Sequence, residues 1–263
     1  MADARILVLE GVHNFRDYGG YPLAGGGRVR RGLLWRSGQH ATATEADLAR
    51  IGALDLAAVF DLRNGVERER QPCRRPAGFA GKIHFHDEDA AALAPHVAAA
   101  QIPPVSGLPP RERMRLSYRS IAFRFGLAVM IRRQLAWLAE GEGASLVNCM
   151  AGKDRTGFAV AMIQCALGVH PDDIMADYLL TNMAGDVDAR IAAGMVAMQA
   201  TGAARKPLDA ETLRVLMSVE AEYLDTAMAS IREKFGSIDA YLEQELGADA
   251  ALRGKLRERL AES

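Results

Sequence analysis

A cysteine and an arginine stand six positions apart in a glycine-containing stretch, a spacing that suits a nucleophile beside an anion site. Residues 148–157 read Asn-Cys-Met-Ala-Gly-Lys-Asp-Arg-Thr-Gly, and the pair is Cys149 and Arg155. A tight turn from a strand into a helix points backbone N–H groups inward, where they bind anions together with the positive end of the helix dipole. The same field and a nearby guanidinium favour thiolate over thiol. The sequence therefore predicts a nucleophile in a phosphate-binding loop.

The segments on either side of this loop are predicted to be a strand and a helix. Ala144 to Asn148 is short and apolar and follows Gly141 and Gly143, which is typical of a buried strand. Thr156 to Gly168 is apolar and rich in alanine, which favours a helix. Open α/β sheets bind their ligands at the carboxyl ends of strands, so this is a suitable place for a catalytic loop.

Further elements are predicted from hydrophobic runs and helix-end signals. Thr42 with Glu45 forms a capping box that begins a helix ending near Gly52. Other strands are predicted at Ile6 to Leu9, Leu33 to Arg36, Leu56 to Phe60 and Lys82 to His86. Later helices are predicted over Arg111 to Glu140 with a break near Gly126, from Pro171 to about Asn182, from Asp209 to about Phe235, after Ser237 and at the C-terminal end. This order predicts an α/β fold with a central parallel or mixed sheet flanked by helices and a helical C-terminal half.

The length and composition indicate one domain. The chain has 263 residues, of which 49% are hydrophobic, enough to bury a sizeable core. Between Ala90 and Pro110 the composition changes to Ala, Pro, Gly and Ser. We therefore expect a single domain over 1–263, with a surface excursion or partial lid around 88–120.

The charge and cysteine content exclude several classes of protein. The net charge is −1, from 32 basic and 33 acidic residues, so no global charge favours nucleic acid. Three widely spaced cysteines argue against a disulfide framework and suit a reducing compartment. The first ten residues lack the apolar core of a signal peptide, and no apolar run has membrane-spanning length. We expect a cytoplasmic protein with at most peripheral membrane contact, and the sequence does not indicate its oligomeric state.

The residues of the loop bear on two plainer interpretations, a nucleotide-binding loop and a buried structural cysteine. A nucleotide-binding loop needs a glycine five positions before Gly152 and Ser or Thr after Lys153, but Val147 and Asp154 occupy those positions. A lone cysteine is most often a buried apolar residue. That interpretation suits Cys165, which has apolar neighbours. Cys73 has no predicted role.

The loop resembles the signature of the cysteine-dependent protein tyrosine phosphatase superfamily, in which five residues separate the cysteine from the arginine and a threonine follows. The string Ala-Gly-Lys-Asp-Arg-Thr-Gly at 151–157 looks most like the bacterial tyrosine and phosphoinositide phosphatases of relaxed specificity. Upstream, Asn14-Phe-Arg-Asp17-Tyr-Gly-Gly20, Trp35-Arg-Ser-Gly38 and Asp61-Leu-Arg63 resemble that branch's other landmarks in the same order. Many members place histidine before the nucleophile, where this chain has Asn148.

The resemblance implies metal-independent hydrolysis of phosphomonoesters, without a cofactor, on phosphotyrosine proteins, phosphoserine or phosphothreonine proteins, or phosphoinositides. Cys149 would attack phosphorus to give a thiophosphoryl intermediate, and Arg155 would bind two phosphoryl oxygens. Thr156 would either donate its hydroxyl to the cysteine sulfur or bond the backbone. We expect the other substrate-binding residues to be Met150, Ala151, Gly152, Lys153, Gly157, Arg36 and Asp61.

Protonation of the leaving group requires an acid, and a stretch of the chain without aspartate limits where that acid can be. There is no aspartate between Ala90 and Asn148, the interval in which many relatives carry their acid. The resembling branch is thought to use the loop aspartate, so Asp154 is the predicted general acid. Asp61 is the alternative; it could instead form an ion pair with Arg63 or Arg36.

Several charged residues near the loop have open interpretations. Lys153 would add a positive charge at the loop rim for a second phosphate, or would be a solvated lysine. A stripe of Arg111, Arg115 and Arg119 on one helix face would attract polyanionic headgroups, or would be a solvated face. His84 and His86 resemble a metal-ligand pair, but structural or substrate-wall roles are favoured and no metal site is predicted.

Two competing functions remain on the sequence alone. A phosphate-binding pseudophosphatase would keep Arg155 and the backbone cradle without turnover, but it has no reason to retain Cys149, Asp154 and Thr156 together. A sulfurtransferase of the rhodanese class also uses a loop cysteine, although its loop lacks the Arg-Thr-Gly exit.

Overall fold

The computed structural model describes residues 3–87, 95, 107–184, 186–189, 191–192 and 209–263. Most of the predicted excursion around 88–120 lies outside the described residues. Its last part, Pro110–Arg119, is a regular helix.

A mixed five-stranded sheet supports the loop. Its strands are β1 (Arg16–Asp17), β3 (Leu34–Ser37), β4 (Leu56–Asp61), β5 (Lys82–His84) and β6 (Ala144–Asn148), arranged in the order β1-β3-β6-β4-β5. Only β1 runs antiparallel to its neighbour. In β6 all residues are buried, as expected for a central strand covered on both faces. Its last residue, Asn148, pairs with the ends of both neighbours, Ser37 and Asp61.

Helices cover the sheet and make up the C-terminal half. They are α1 (Glu45–Gly52), α2 (Gly65–Arg70), α3 (Pro110–Arg119), α4 (Phe125–Glu140), α5 (Asp154–Leu167), α6 (Pro171–Leu179), α7 (Thr181–Ala184), α8 (Ala210–Met217), α9 (Ala221–Phe235), α10 (Ile238–Gln244) and α11 (Ala250–Leu260). A small sheet pairs β2 (Arg28–Val29) with β7 (Ala261–Glu262). The predicted fold class is confirmed.

Four local predictions are corrected by the structure. The capping box of α1 is formed by Thr44 and Asp47, not by Thr42 and Glu45. Ile6 to Leu9 forms no strand beyond a single bridge at Ile6. The strand predicted over Lys82 to His86 ends at His84. The helix predicted from Arg111 to Glu140 is interrupted at 120–124, slightly earlier than expected.

The helix predicted from Asp209 to Phe235 is also two helices, α8 and α9. Ser218 between them is extended. The Asn182 amide donates to the Val219 carbonyl and accepts from the Val219 N–H, both at 2.9 Å. A side chain thus satisfies the backbone groups that would otherwise continue the helix, and that is why the chain can turn here.

Helix α5 lies in the middle of the main hydrophobic core. Apart from Cys165, all of its residues are buried, and they pack with α4, α6, α10 and α11 on one face of the sheet. A smaller cluster on the other face includes Phe15, Leu48, Ile51 and Leu146. The loop between β6 and α5 is therefore anchored at both ends in packed elements.

Candidate active site

The predicted nucleophile loop, 149–153, joins the end of β6 to the start of α5. Gly152 has φ +66°, and a Cβ there would lie 2.5 Å from the backbone of Ser37 and Gly38. Only a glycine lets the loop approach the end of β3 this closely without strain. Met150 and Ala151 are partly exposed, whereas Cys149 is buried at 3% exposure.

The loop carbonyls are held by the protein. The Gly152 carbonyl accepts hydrogen bonds from Asn14 Nδ2 at 2.6 Å and Arg36 Nη2 at 3.2 Å, and the Met150 carbonyl accepts one from the Gln39 N–H at 3.0 Å. The C=O and N–H of a planar trans peptide point in opposite directions. The N–H groups of Ala151 and Lys153 therefore point away from these partners, as an anion-binding loop requires.

A buried ion cluster lies behind the loop. Asp177 on α6 binds Arg36 at 2.6 Å and Arg16 at 3.3 Å, and all three side chains are fully buried. Burial works to raise the pKa of Asp177, but Arg16 and Arg36 overcome it and hold that pKa below its ordinary value. Arg36, predicted as a substrate contact, has a fully buried guanidinium that supports the loop through the Gly152 carbonyl. Its contact with substrate stays a prediction.

Arg155 is held by a residue that the sequence analysis missed. Its Nη1 and Nη2 donate to the two carboxylate oxygens of Glu67 at 2.6 and 2.7 Å, and Nη1 also donates to the Leu62 carbonyl. Burial works to lower the Arg155 pKa, but the Glu67 hydrogen bonds and the nearby Cys149 raise it overall. Among the described residues, Arg155 Nε is buried without a hydrogen-bond partner.

Glu67 also caps the N-terminus of α2. It closes a capping box with Asn64 at the start of α2, accepting the Asn64 N–H at 2.9 Å. The spacing Asn64-Gly-Val-Glu67 directly after the Asp-Leu-Arg motif was the available signal. It indicates a helix start beside the site, although it does not identify Arg155 as the partner.

Asp61, the alternative acid, is occupied by Arg63. Arg63 Nη2 donates to Asp61 Oδ2 at 2.7 Å and Arg63 Nε donates to Oδ1 at 2.9 Å. Asn148 Nδ2 also donates to Oδ1, at 3.3 Å. Of the two roles left open for Asp61, the structure shows the ion pair with Arg63, so this residue forms part of the site wall.

Asp154 lies in a different environment, at the first position of α5. Its Oδ1 accepts hydrogen bonds from Tyr118 Oη and Lys153 Nζ, each at 2.7 Å. Lys153 is fully buried and its ammonium also reaches the Ser218 carbonyl at 3.4 Å. The alternative of a solvated lysine at the rim is wrong, because Lys153 is fully buried. Its part in binding substrate stays a prediction.

The two residues that follow Arg155 also differ from expectation. The Thr156 hydroxyl is buried with no hydrogen-bond partner in the described part of the chain, so it bonds neither the backbone nor the Cys149 sulfur here. Gly157 lies on the buried side of α5, where an added Cβ would be 2.9 Å from the Tyr178 ring. This position therefore needs a glycine for packing, and its contact with substrate stays a prediction.

The other two cysteines are less suited to attack. Burial raises the pKa of Cys165 to about 12, in agreement with its predicted structural role. Burial also raises the pKa of Cys73, whose sulfur accepts the His40 N–H at 3.2 Å.

The arginine stripe on α3 is neutralised by acids. Arg111 pairs with Glu220, Arg115 with Glu112 and Glu222, and Arg119 with Glu233. His84 stacks on Phe60 at 4.6 Å and His86 meets the edge of Phe125 at 5.8 Å, so both histidines pack against aromatic rings. These contacts favour the plainer interpretations of both features.

No helix among the described residues combines the length and apolar character needed to cross a bilayer.

The chain is similar to known tyrosine phosphatases over nearly its whole length. The model of a tyrosine phosphatase family matches residues 7–262. A Cupriavidus necator protein assigned as a tyrosine-protein phosphatase is 35% identical over 257 residues, covering 94% of this chain and 87% of its own length. The triple specificity protein phosphatase PtpB of Mycobacterium tuberculosis is 31% identical over 278 residues, covering 96% of this chain and 98% of its own.

Proposed function

The chain belongs to the tyrosine phosphatase family and is a hydrolase, and on that premise we propose that it cleaves phosphomonoesters with Cys149 as nucleophile. The observation that carries this proposal is that Cys149 and Arg155 lie at the two ends of one loop. Cys149 stands at the carboxyl end of β6, and Arg155 stands in the first turn of α5 with its guanidinium held by Glu67. A thiolate and a fixed planar cation beside inward amides suit in-line attack on a phosphoryl group.

The reaction proceeds in two displacements. The Cys149 thiolate forms a bond to phosphorus while the bond to the leaving oxygen breaks, and Asp154 gives that oxygen a proton. Water then attacks the thiophosphoryl group, Asp154 takes a proton from it, and the P–S bond breaks to release inorganic phosphate and the thiolate. Arg155 Nε is an unused donor for a phosphoryl oxygen. The Thr156 hydroxyl is available to a departing sulfur.

The contrast between the two carboxylates supports Asp154 as the acid. Asp61 accepts three guanidinium hydrogen bonds from Arg63, so both of its carboxylate oxygens are already engaged. Asp154 follows the nucleophile loop directly and, within the described ranges, accepts hydrogen bonds from the Tyr118 phenol and the Lys153 ammonium. A bound phosphate dianion would draw Lys153 toward itself and disfavour a second negative charge on Asp154, so that substrate promotes the protonated form.

The substrates are proposed to be phosphotyrosine proteins, phosphoserine or phosphothreonine proteins, and phosphoinositides. The triple specificity in the name of the M. tuberculosis relative, which shares 31% of the aligned residues, supports a broad range. The exposure of Met150 and Ala151 at the loop surface supports access by a large substrate.

The nucleophile is tested by assaying an aryl phosphate with wild type, Cys149→Ser and Cys165→Ser. We expect Cys149→Ser to show no turnover and to form no phosphoenzyme that can be trapped. Cys165→Ser, on α5 but away from the loop, should keep both turnover and the trapped phosphoenzyme. Turnover surviving in Cys149→Ser would overturn the mechanism. An inactive wild type that binds phosphate would favour a pseudophosphatase, and sulfur transfer from thiosulfate would favour the rhodanese class.

The acid is tested by leaving-group dependence. Asp154→Asn should reduce turnover of an alkyl phosphate by about 10² to 10⁴ and that of an aryl phosphate with an acidic phenol far less, since only the poor leaving group needs a proton. Equal losses on both substrates would assign Asp154 to binding or folding.

A further inference from the structure

Two buried tyrosine hydroxyls stand in line behind Asp154. Tyr178 Oη donates to Tyr118 Oη at 2.8 Å, and Tyr118 Oη donates to Asp154 Oδ1 at 2.7 Å. The two phenols are at most 1% exposed. A phenol has a single proton to donate, so a Tyr118 that accepts from Tyr178 commits its own proton to the carboxylate.

Both phenols stay protonated at neutral pH. Burial is the main cause that raises the pKa of Tyr118 and of Tyr178 well above 10, and the negative charge of Asp154 raises each further. The two hydroxyls are therefore constant donors that add no charge of their own to the site.

The fold makes specific room for this pair. Tyr118 lies on α3 and Tyr178 on α6, 60 residues apart in the chain. The Tyr178 ring occupies the space in which a Cβ at Gly157 would lie, 2.9 Å from its carbons. The Tyr118 ring packs on Tyr223 at 5.5 Å and meets Tyr178 edge-on at 6.4 Å. The last glycine of the loop motif thus admits the second tyrosine.

We propose that Tyr118 and Tyr178 are positioning residues that hold Asp154 and set the pH range over which it donates its proton. The inference rests on the proposed role of Asp154 as the acid. A donor to a carboxylate stabilises the ionised form, and a second donor polarises the first and strengthens that bond. The pair also orients the carboxylate and stabilises the charge that forms when the proton leaves.

Other charged or titratable groups surround this carboxylate among the described residues. Lys153 bonds Asp154, and Arg155 and Tyr223 interact with it electrostatically. Glu67 and Cys149 act on Arg155, and Arg36, which pairs with Asp177, acts on Tyr178. These remain in place in a tyrosine-to-phenylalanine variant, which removes one neutral donor. A shift in such a variant therefore reports the hydroxyl itself.

The test is the pH dependence of kcat/KM on an alkyl phosphate. The basic limb reports the acid, which must be protonated. Tyr118→Phe should move that limb upward by about one to two pH units, because a hydrogen bond to the ionised form is lost. Tyr178→Phe should move it in the same direction by less. Since Tyr178 acts through Tyr118, the double variant should shift no further than Tyr118→Phe.

Tyr241→Phe is the matched control. Tyr241 is also fully buried, and its hydroxyl donates to the Ala122 carbonyl at 2.7 Å, away from Asp154. Tyr241→Phe should lose about as much stability as Tyr118→Phe and leave the basic limb of the kcat/KM profile unchanged. An unshifted limb in Tyr118→Phe, or an equal shift in Tyr241→Phe, would overturn the proposal, and so would additive shifts in the double variant.

A second measurement separates the positioning role of the two tyrosines from the role of Asp154 as general acid. If the limb persists in Asp154→Asn, the acid assignment fails. The relay is then judged by carbon-13 NMR titration of the Asp154 carboxyl in the ligand-free protein, with its resonance assigned from its loss in Asp154→Asn. An upward shift of that titration in Tyr118→Phe supports the relay, and an unchanged titration overturns it.

Discussion

Two regions of the molecule carry arginine–carboxylate pairs, and they differ in what the pairs do. Behind the loop, Arg36 and Asp177 are at most 1% exposed and 2.6 Å apart. Between α3 and α9, Arg119 and Glu233 are 65% and 72% exposed and 3.7 Å apart. The buried pair holds the backbone of the proposed nucleophile loop through the Gly152 carbonyl, and the surface pair lies in water that already screens its charges. Burial, and not residue type, therefore decides how much each pair contributes to the structure.

The pair of Arg155 and Glu67 is intermediate. Its side chains are 6% and 16% exposed, and it borders the site itself. It must hold the guanidinium in place while leaving a donor for substrate. Breaking each pair in turn, by Asp177→Asn, Glu67→Gln and Arg119→Gln, should therefore have effects that decrease from the buried pair to the surface pair.

The largest effect is expected for Asp177→Asn. This change leaves Arg16 and Arg36 buried without a full counter-charge, which costs about 3–5 kcal/mol of unfolding free energy. Urea unfolding at neutral pH measures the loss, and activity should fall with it because Gly152 loses its support. A loss below about 1 kcal/mol would show that water reaches the cluster and would remove the contrast with the surface.

The same substitution should also change how the free energy of unfolding depends on pH in the acid range. Arg16 and Arg36 lower the pKa of Asp177, although its burial opposes them. The stabilisation is therefore complete above the unfolded value of about 3.9 and is lost as pH falls through the lower folded value. Asp177→Asn should lack this component of acid unfolding.

An intermediate effect is expected for Glu67→Gln. The amide accepts at one oxygen only and cannot match the two-point fork, so kcat/KM on an aryl phosphate should fall by about 10- to 100-fold through loss of a charge-assisted bond. Steady-state kinetics provide the measurement. Glu69→Gln, an exposed position on the same helix, is the control. Unchanged kinetics in Glu67→Gln would mean that the loop alone orients Arg155.

The smallest effect is expected for Arg119→Gln. An exposed pair contributes about 0.2–1 kcal/mol, so we expect unfolding free energy within about 0.5 kcal/mol of wild type. Turnover of a phosphoinositide in vesicles should match wild type, because acids on α9 already balance the stripe. A marked loss of vesicle turnover alone would restore the stripe as a headgroup-binding surface.

The sequence was most informative where the chemistry is local. The strand, the loop and the helix from Ala144 to Leu167 are contiguous, and their hydrophobic pattern and glycines predict them directly. The sequence was least informative about side-chain partners. Glu67, Tyr118 and Tyr178 were missed because each reaches the loop from another element, Glu67 across 88 residues of chain. The burial of Lys153 was also missed, because a lysine is usually exposed.

The sequence by itself determined the class of fold and the ten residues on which attack and charge stabilisation are proposed to depend, because a strand, a turn and a helix start need only neighbouring residues. The tertiary structure alone decided what surrounds them: Asp61 paired with Arg63, Asp154 bonded by Tyr118 with Tyr178 behind it, and the Gly152 carbonyl bonded by Arg36 of β3. Such contacts depend on which buried polar groups must find partners once the chain has packed, and no local spacing encodes that.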